Sequence, residues 1–151
     1  MFSRNYRAYF LTNMYLSSIQ NGIQTAHCTA EFYVKYGINT PKGKIVYDWA
    51  SQDKTMIVLN GGYCSALRDF AEFLNNDLNP FPWATFNESQ EALDGALTVT
   101  GIILPEDTYS LIRNGPEGAA PFSLDDLILV EKVLPWEAEL IVRLRTFGLA
   151  K

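Results

Sequence analysis

The stretch Leu97–Leu104 (LTVTGIIL) limits the fold more than any other part of this chain. It is β-branched, almost wholly apolar and followed by Pro105. A strand with a polar side would alternate, and this one does not. Such a run suits a central strand with both faces covered by other layers. The fold must therefore supply helices on two sides of a sheet.

The remainder of the sequence fits that demand. Tyr6–Thr12 (YRAYFLT) reads as a first strand and Asn13–Leu16 as a short connection. Ser17 starts a helix, with Gln20 placed as its capping-box partner. This helix runs to about Tyr36, and Gly37 suits the left-handed position after its end. Asn39–Gly43 is turn chemistry, and Lys44–Trp49 and Thr55–Leu59 read as two strands. Asn60-Gly61-Gly62 reads as a turn, although backbone amides there could also cradle an anion. A helix over Tyr63–Asn75 places Leu67, Phe70, Ala71 and Leu74 on one face. Trp83–Asn87 reads as a short strand, and a loop covers roughly Arg113–Pro121. Leu124–Leu149 reads as helix in two pieces divided at Pro135. The expectation is an α/β three-layer sandwich around a mixed four- or five-stranded sheet, with C-terminal helices. Residues 1–151 are expected to form one domain, with its core in 6–105 and a helical extension over 106–151.

Composition narrows the function. The formal charge of −5 disfavours broad contact with a phosphate backbone, which needs clustered Lys and Arg. The two cysteines, Cys28 and Cys64, form no CxxC pair, and with a single histidine they predict no metal site and no cofactor. No segment approaches the roughly 20 apolar residues of a membrane span, and the start MFSRNYRAYFLTNMYL lacks a secretory apolar run. A cytoplasmic protein without membrane contact is the expectation. The apolar positions of the tail, among them Leu127, Leu140, Ile141 and Leu144, could pack on the sheet or form a homodimer contact.

On the first helix, Gln20, Gln24, His27 and Glu31 share a narrow band. An apolar band, Ile19, Ile23, Ala26 and Ala30, lies on one side of it. Asn21, Thr25, Cys28 and Phe32 lie on the other. Two readings of the polar band stand: a solvated helix face, or a pocket wall. The pocket reading has a physical basis. The preceding connection, with Ser17 and Ser18, lies at the carboxyl end of a strand, where helix N–H groups are free and α/β ligands bind.

Gly22-Ile23-Gln24-Thr25-Ala26-His27-Cys28 resembles the A-A-Q-x-x-H-A helix pattern of type 2 peptidyl-tRNA hydrolases. Further matches follow in order: Met56-Ile57-Val58-Leu59, Phe86-Asn87-Glu88-Ser89-Gln90 near the family's D-A-G-x-T-Q, and Thr98–Pro105 near its T-V-x-x-I-G-P strand. The resemblance spans about residues 6–105 and leaves the C-terminal part without a counterpart. It implies a peptidyl-tRNA hydrolase-like fold. It also implies His27, Asn87 and Glu88 as catalytic positions and Ser17, Ser18, Gln20, Gln24, Gln90 and Thr98 as substrate-binding ones. The chain departs from the family at two places. The lysine-rich loop before the helix is replaced by Ser17-Ser18-Ile19-Gln20, and the family's aspartate falls near Asn87, with Glu88 the nearest carboxylate. Asparagine can orient water but cannot take its proton.

Three functions follow as expectations. The first is hydrolysis of an ester-type bond in a tRNA- or nucleotide-containing substrate, with His27 or Glu88 assisting water. The second is a non-catalytic relative that sequesters a nucleotide or a tRNA 3′ end. The third is a protein–protein module using the fold as a scaffold.

Overall fold

In a computed structural model, which describes residues 5–89, 95–114 and 123–150, the central strand has its expected place. Strand β4 (Leu97–Pro105) is buried along its whole length. It pairs antiparallel with β1 (Tyr6–Thr12) on one side and β3 (Trp83–Asn87) on the other. Strand β2 (Met56–Asn60) completes a mixed four-stranded sheet by running parallel to β1, in the order β2-β1-β4-β3.

Each face of the sheet has its own core. On one face, Tyr9, Leu11, Ile102 and Leu104 meet Leu67, Phe70 and Leu74 of helix α3 (Cys64–Leu74). On the other, Ala8, Phe10, Val99 and Ile103 meet Cys28 and Phe32 of α1 (Ser18–Lys35) and Val46 of α2 (Pro41–Asp48). Each fully buried Leu, Ile or Phe contributes about 1.5–3 kcal/mol. The layering is α/β/α, as the two-sided apolar run required.

The segment after β4 belongs to the first core. Helix α4 (Glu106–Asn114) follows Pro105 directly, with Glu106 and Asp107 in its first turn, where acids favour the helix dipole. Helices α5 (Leu124–Leu129) and α6 (Pro135–Arg145) divide where Pro135 stands. Tyr109, Trp136, Leu140 and Leu144 pack beside Leu11 and Ile102. Leu140 and Leu144 of the tail thus pack on the sheet, Leu127 and Ile141 pack with Ala138 in a separate cluster among the helices, and Leu129, Val130 and Leu134 stay exposed.

Two readings of the sequence need correction. Lys44–Trp49 is no strand: it lies within α2 and the π-helical turn Trp49–Asp53 that follows. Thr40 caps α2 by accepting the Gly43 N–H, and Pro41 holds the first helical position. That start signal outweighed the β-branched Ile45 and Val46. Gly37 is not left-handed, because α1 leaves through an extended Tyr36. The Tyr36 hydroxyl bonds both the N–H and the carbonyl of Trp83, and Lys35 donates to the same carbonyl. These contacts tie the helix end to the edge strand and blunt an edge open to pairing. Pro105 ends β4 as the sequence indicated, and α4 begins at the next residue.

Among the described residues no helix is long and apolar enough to cross a membrane. At the opposite edge Leu149 bridges to Leu59, so the chain's end lies along β2.

Candidate functional site

Four chain segments converge at one end of the sheet: the ends of β1, β2 and β3, and the start of β4. The first half of α1 runs across this end. Its orientation inverts ordinary amphipathicity. The buried side carries Asn21, Gln24, Thr25, Cys28 and Phe32, whereas Ile19 and Ile23 are exposed. Two contacts set this rotation. Phe32 meets Phe10 edge-on at 6.1 Å, and Cys28 sits over Gly101. A Cβ at Gly101 would stand 2.9 Å from Phe10 Cδ1 and 3.2 Å from Cys28 Sγ, so only glycine permits this approach.

The rotation carries Gln24 inward. Its Oε1 accepts the Thr98 hydroxyl at 2.8 Å, and its Nε2 donates to Glu88 Oε2 at 2.7 Å. Thr98 reaches Gln24 because of a β-bulge. Phe86 pairs with Val99 but Asn87 pairs with Leu97, which leaves Thr98 as the extra residue. The bulge breaks the strict in-out alternation and turns Thr98 toward α1. Thr98 Oγ1 also lies 3.2 Å from the Phe86 carbonyl, so one hydroxyl proton has two acceptors.

The Glu88 carboxyl is held below the ordinary carboxylate range. The main cause is the Ser89 N–H, which donates to Oε1 at 2.9 Å; the Gln24 amide and the neighbouring His27 add to it. Among the described residues Glu88 has no Lys or Arg ion-pair partner. His27 is exposed and lies on Phe86, with ring centroids 4.7 Å apart and planes 21° apart. The result is an imidazole at the rim of a chain of bonds that runs from the buried Thr98 and Gln24 to the partly exposed Glu88 carboxylate.

The other expected site residues are placed differently. Ser17 and Gln20 satisfy each other in the anticipated capping box: Ser17 Oγ accepts the Gln20 N–H, and Gln20 Oε1 accepts the Ser17 N–H. Ser18 is exposed in the first turn. Asn87 donates from Nδ2 to the Gly95 carbonyl at 3.1 Å, closing the β3–β4 connection rather than joining Gln24. Gln90 lies outside the described residues. The Asn60-Gly61-Gly62 segment is a turn: Gly62 has φ +78° and its N–H donates to Asn60 Oδ1.

Beside this group, toward β2, lies a cavity of about 290 Å³ lined in part by Thr12, Asn13, Asn21 and Asn60. Sequence reasoning named Asn21 on a helix flank and Asn60 in a turn, but did not bring them together with Thr12 and Asn13. The available signal was their position: Asn21 precedes Gln24 by three residues, and Thr12, Asn13 and Asn60 end the two parallel strands. Among the described residues no cluster of three or more His, Cys, Asp or Glu side chains could hold a metal ion.

The sequence matches no family model and no curated protein.

Proposed function

We propose that this end of the sheet binds a nucleotide-containing ligand without turning it over. The protein would be a peptidyl-tRNA hydrolase-like domain that keeps the Gln24–His27 helix pattern and lacks the family's lysine and aspartate. One observation carries this reading. The Glu88 carboxylate is already engaged by Gln24 and the Ser89 N–H, and is held below its ordinary range. A carboxylate stabilised in this way is a poor general base. Gln24 and Thr98 are buried and bonded to each other, and neither can accept a proton at neutral pH. The acidic balance of the chain suits a small nucleotide or a tRNA 3′ end better than whole tRNA. The same reading sets the protein in the cytoplasm, with Leu129, Val130 and Leu134 as the surface for a homodimer contact.

Ester hydrolysis is the second reading, and the position of His27 favours it. The ring is held by Phe86 beside Glu88, and imidazole is the side chain suited to proton transfer near neutrality.

Two assays on the purified chain separate these readings. One measures product release from peptidyl-tRNA and nucleotide esters. The other measures melting shifts across a nucleotide panel. A shift without product, lost in Gln24→Ala and His27→Ala, supports binding. Product release lost in His27→Ala supports hydrolysis. Neither product nor shift leaves the fold as a protein–protein scaffold.

A further inference from the structure

The sheet face opposite α1 carries another cavity, of about 470 Å³. Strand alternation builds it. Side chains two apart share a face, so Arg7 of β1 stands with Tyr9 and Leu11, away from Ala8 and Phe10. Ile57 and Leu59 of β2, Ile112 of α4, Leu144 of α6 and Phe147 supply the apolar lining. Arg145 also lines the cavity, and it donates to the Leu111 carbonyl, which ties the end of α6 to α4.

Arg7 differs from this lining. It is half-buried, and its guanidinium carbon lies 4.2 Å from the centre of the Tyr109 ring. Cation–π attraction holds the charge over the ring but satisfies none of its N–H donors. Among the described residues those donors make no hydrogen bond, and the charge has no carboxylate partner. A partly buried cation that has given up water without gaining an acceptor favours an anion beside it. The guanidinium fork matches a carboxylate, which accepts two parallel N–H bonds. The apolar walls give an attached alkyl chain a place out of water, which a small bare anion cannot use. The volume falls within the range of small-molecule sites.

We infer that this cavity binds an aliphatic monocarboxylate of medium chain length. Its carboxylate would pair with Arg7, and its hydrocarbon would lie along Ile57, Leu59 and Leu144. The site does not rest on the nucleotide reading above, because Gln24 belongs to α1, which covers the other face of the sheet.

The test uses octanoate below its micelle concentration, with octanamide as the uncharged comparison and acetate as the comparison without a chain. The Arg7 Nε–H signal is followed by ¹H–¹⁵N NMR on the full chain. Octanoate should move it saturably, and should bind about tenfold or more tightly than either comparison. Arg7→Gln should weaken octanoate binding about tenfold or more. Arg7→Lys, which keeps the charge and loses the fork, should weaken it by a smaller factor. Leu149 is exposed and lines the cavity, so Leu149→Asp places a like charge there without disturbing the core. It should also weaken octanoate, and it serves if Arg7→Gln does not fold. The inference is overturned if octanoate leaves the Arg7 signal in place. Octanamide binding as tightly overturns it by reducing the site to an apolar groove, and acetate binding as tightly by reducing it to a surface ion contact. It is equally overturned if a folded Arg7→Gln, or Leu149→Asp where that variant does not fold, binds octanoate as the parent does.

Discussion

Thr98 donates its hydroxyl to the Gln24 side chain at 2.8 Å, joining the central strand to the first helix through a buried polar contact. The two residues lie 74 positions apart, and the contact exists because a bulge turns Thr98 out of strand alternation. Through Gln24 the same chain of bonds reaches Glu88.

Removing either end of this contact should destabilise the fold. Thr98→Val keeps the shape and loses the donor; Gln24→Leu loses both bonds of the amide. Each is expected to cost about 1–2 kcal/mol in urea denaturation, because a buried partner is left unsatisfied. The double variant should cost less than the sum, with a coupling of about 1 kcal/mol. Strict additivity would show that the two side chains do not interact in solution.

Glu88 should titrate below an ordinary glutamate, and the direction of the linked stability follows. Its folded-state pKa is lowered, so the unfolded chain takes up the proton first as pH falls. The stabilisation is therefore complete above the unfolded carboxylate's range, near ~4.3, and is lost as pH drops through the lower folded value. Carboxyl ¹³C NMR against pH measures this directly. Gln24→Leu should move the midpoint upward, toward the ordinary range, since it deletes the amide donor while the Ser89 N–H remains.

Gly101→Ala tests the approach of α1 to the sheet. The added methyl would meet Phe10 at 2.9 Å and Cys28 Sγ at 3.2 Å, so helix or ring must shift. The expected loss is about 1–3 kcal/mol by thermal or urea unfolding. The Gln24–Thr98 contact should loosen with it, visible as faster exchange of the Gln24 side-chain amide. A variant as stable as the parent would mean that the helix is not held against Gly101.

The two thiols should differ sharply. Cys28 is fully buried and burial pushes its thiol well above the usual range, whereas Cys64 is partly exposed at the start of α3. A thiolate-selective reagent should modify one thiol per native chain and two in denaturant. Substituting Cys64 by Ser should abolish the native reaction.

Much of the fold was legible in local signals. Ser17 with Gln20 marked a helix start that the structure confirms bond for bond. The helix over Cys64–Leu74 and the division at Pro135 were equally readable, because capping, periodicity and proline chemistry act over a few residues. Lys44–Trp49 was misread because Ile45 and Val46 favour strand, while the signal that won, Thr40 with Pro41, lies just upstream. The site divides the same way. Gln24 and His27 stood out on one helix band, but Asn21 and Asn60 gave no sign of sharing a cavity.

By itself the sequence determined that a two-sided strand must sit between helical layers, where the first helix begins, and which polar residues that helix carries. Tertiary structure alone decided which side of the helix faces inward. No local rule turns Ile19 and Ile23 to solvent and buries Asn21 and Gln24. That choice comes from Gly101 and Phe10, which admit Cys28 and Phe32, and from the bulge that brings Thr98 to Gln24. Close packing between residues far apart in the chain overrode the hydrophobic pattern of the helix.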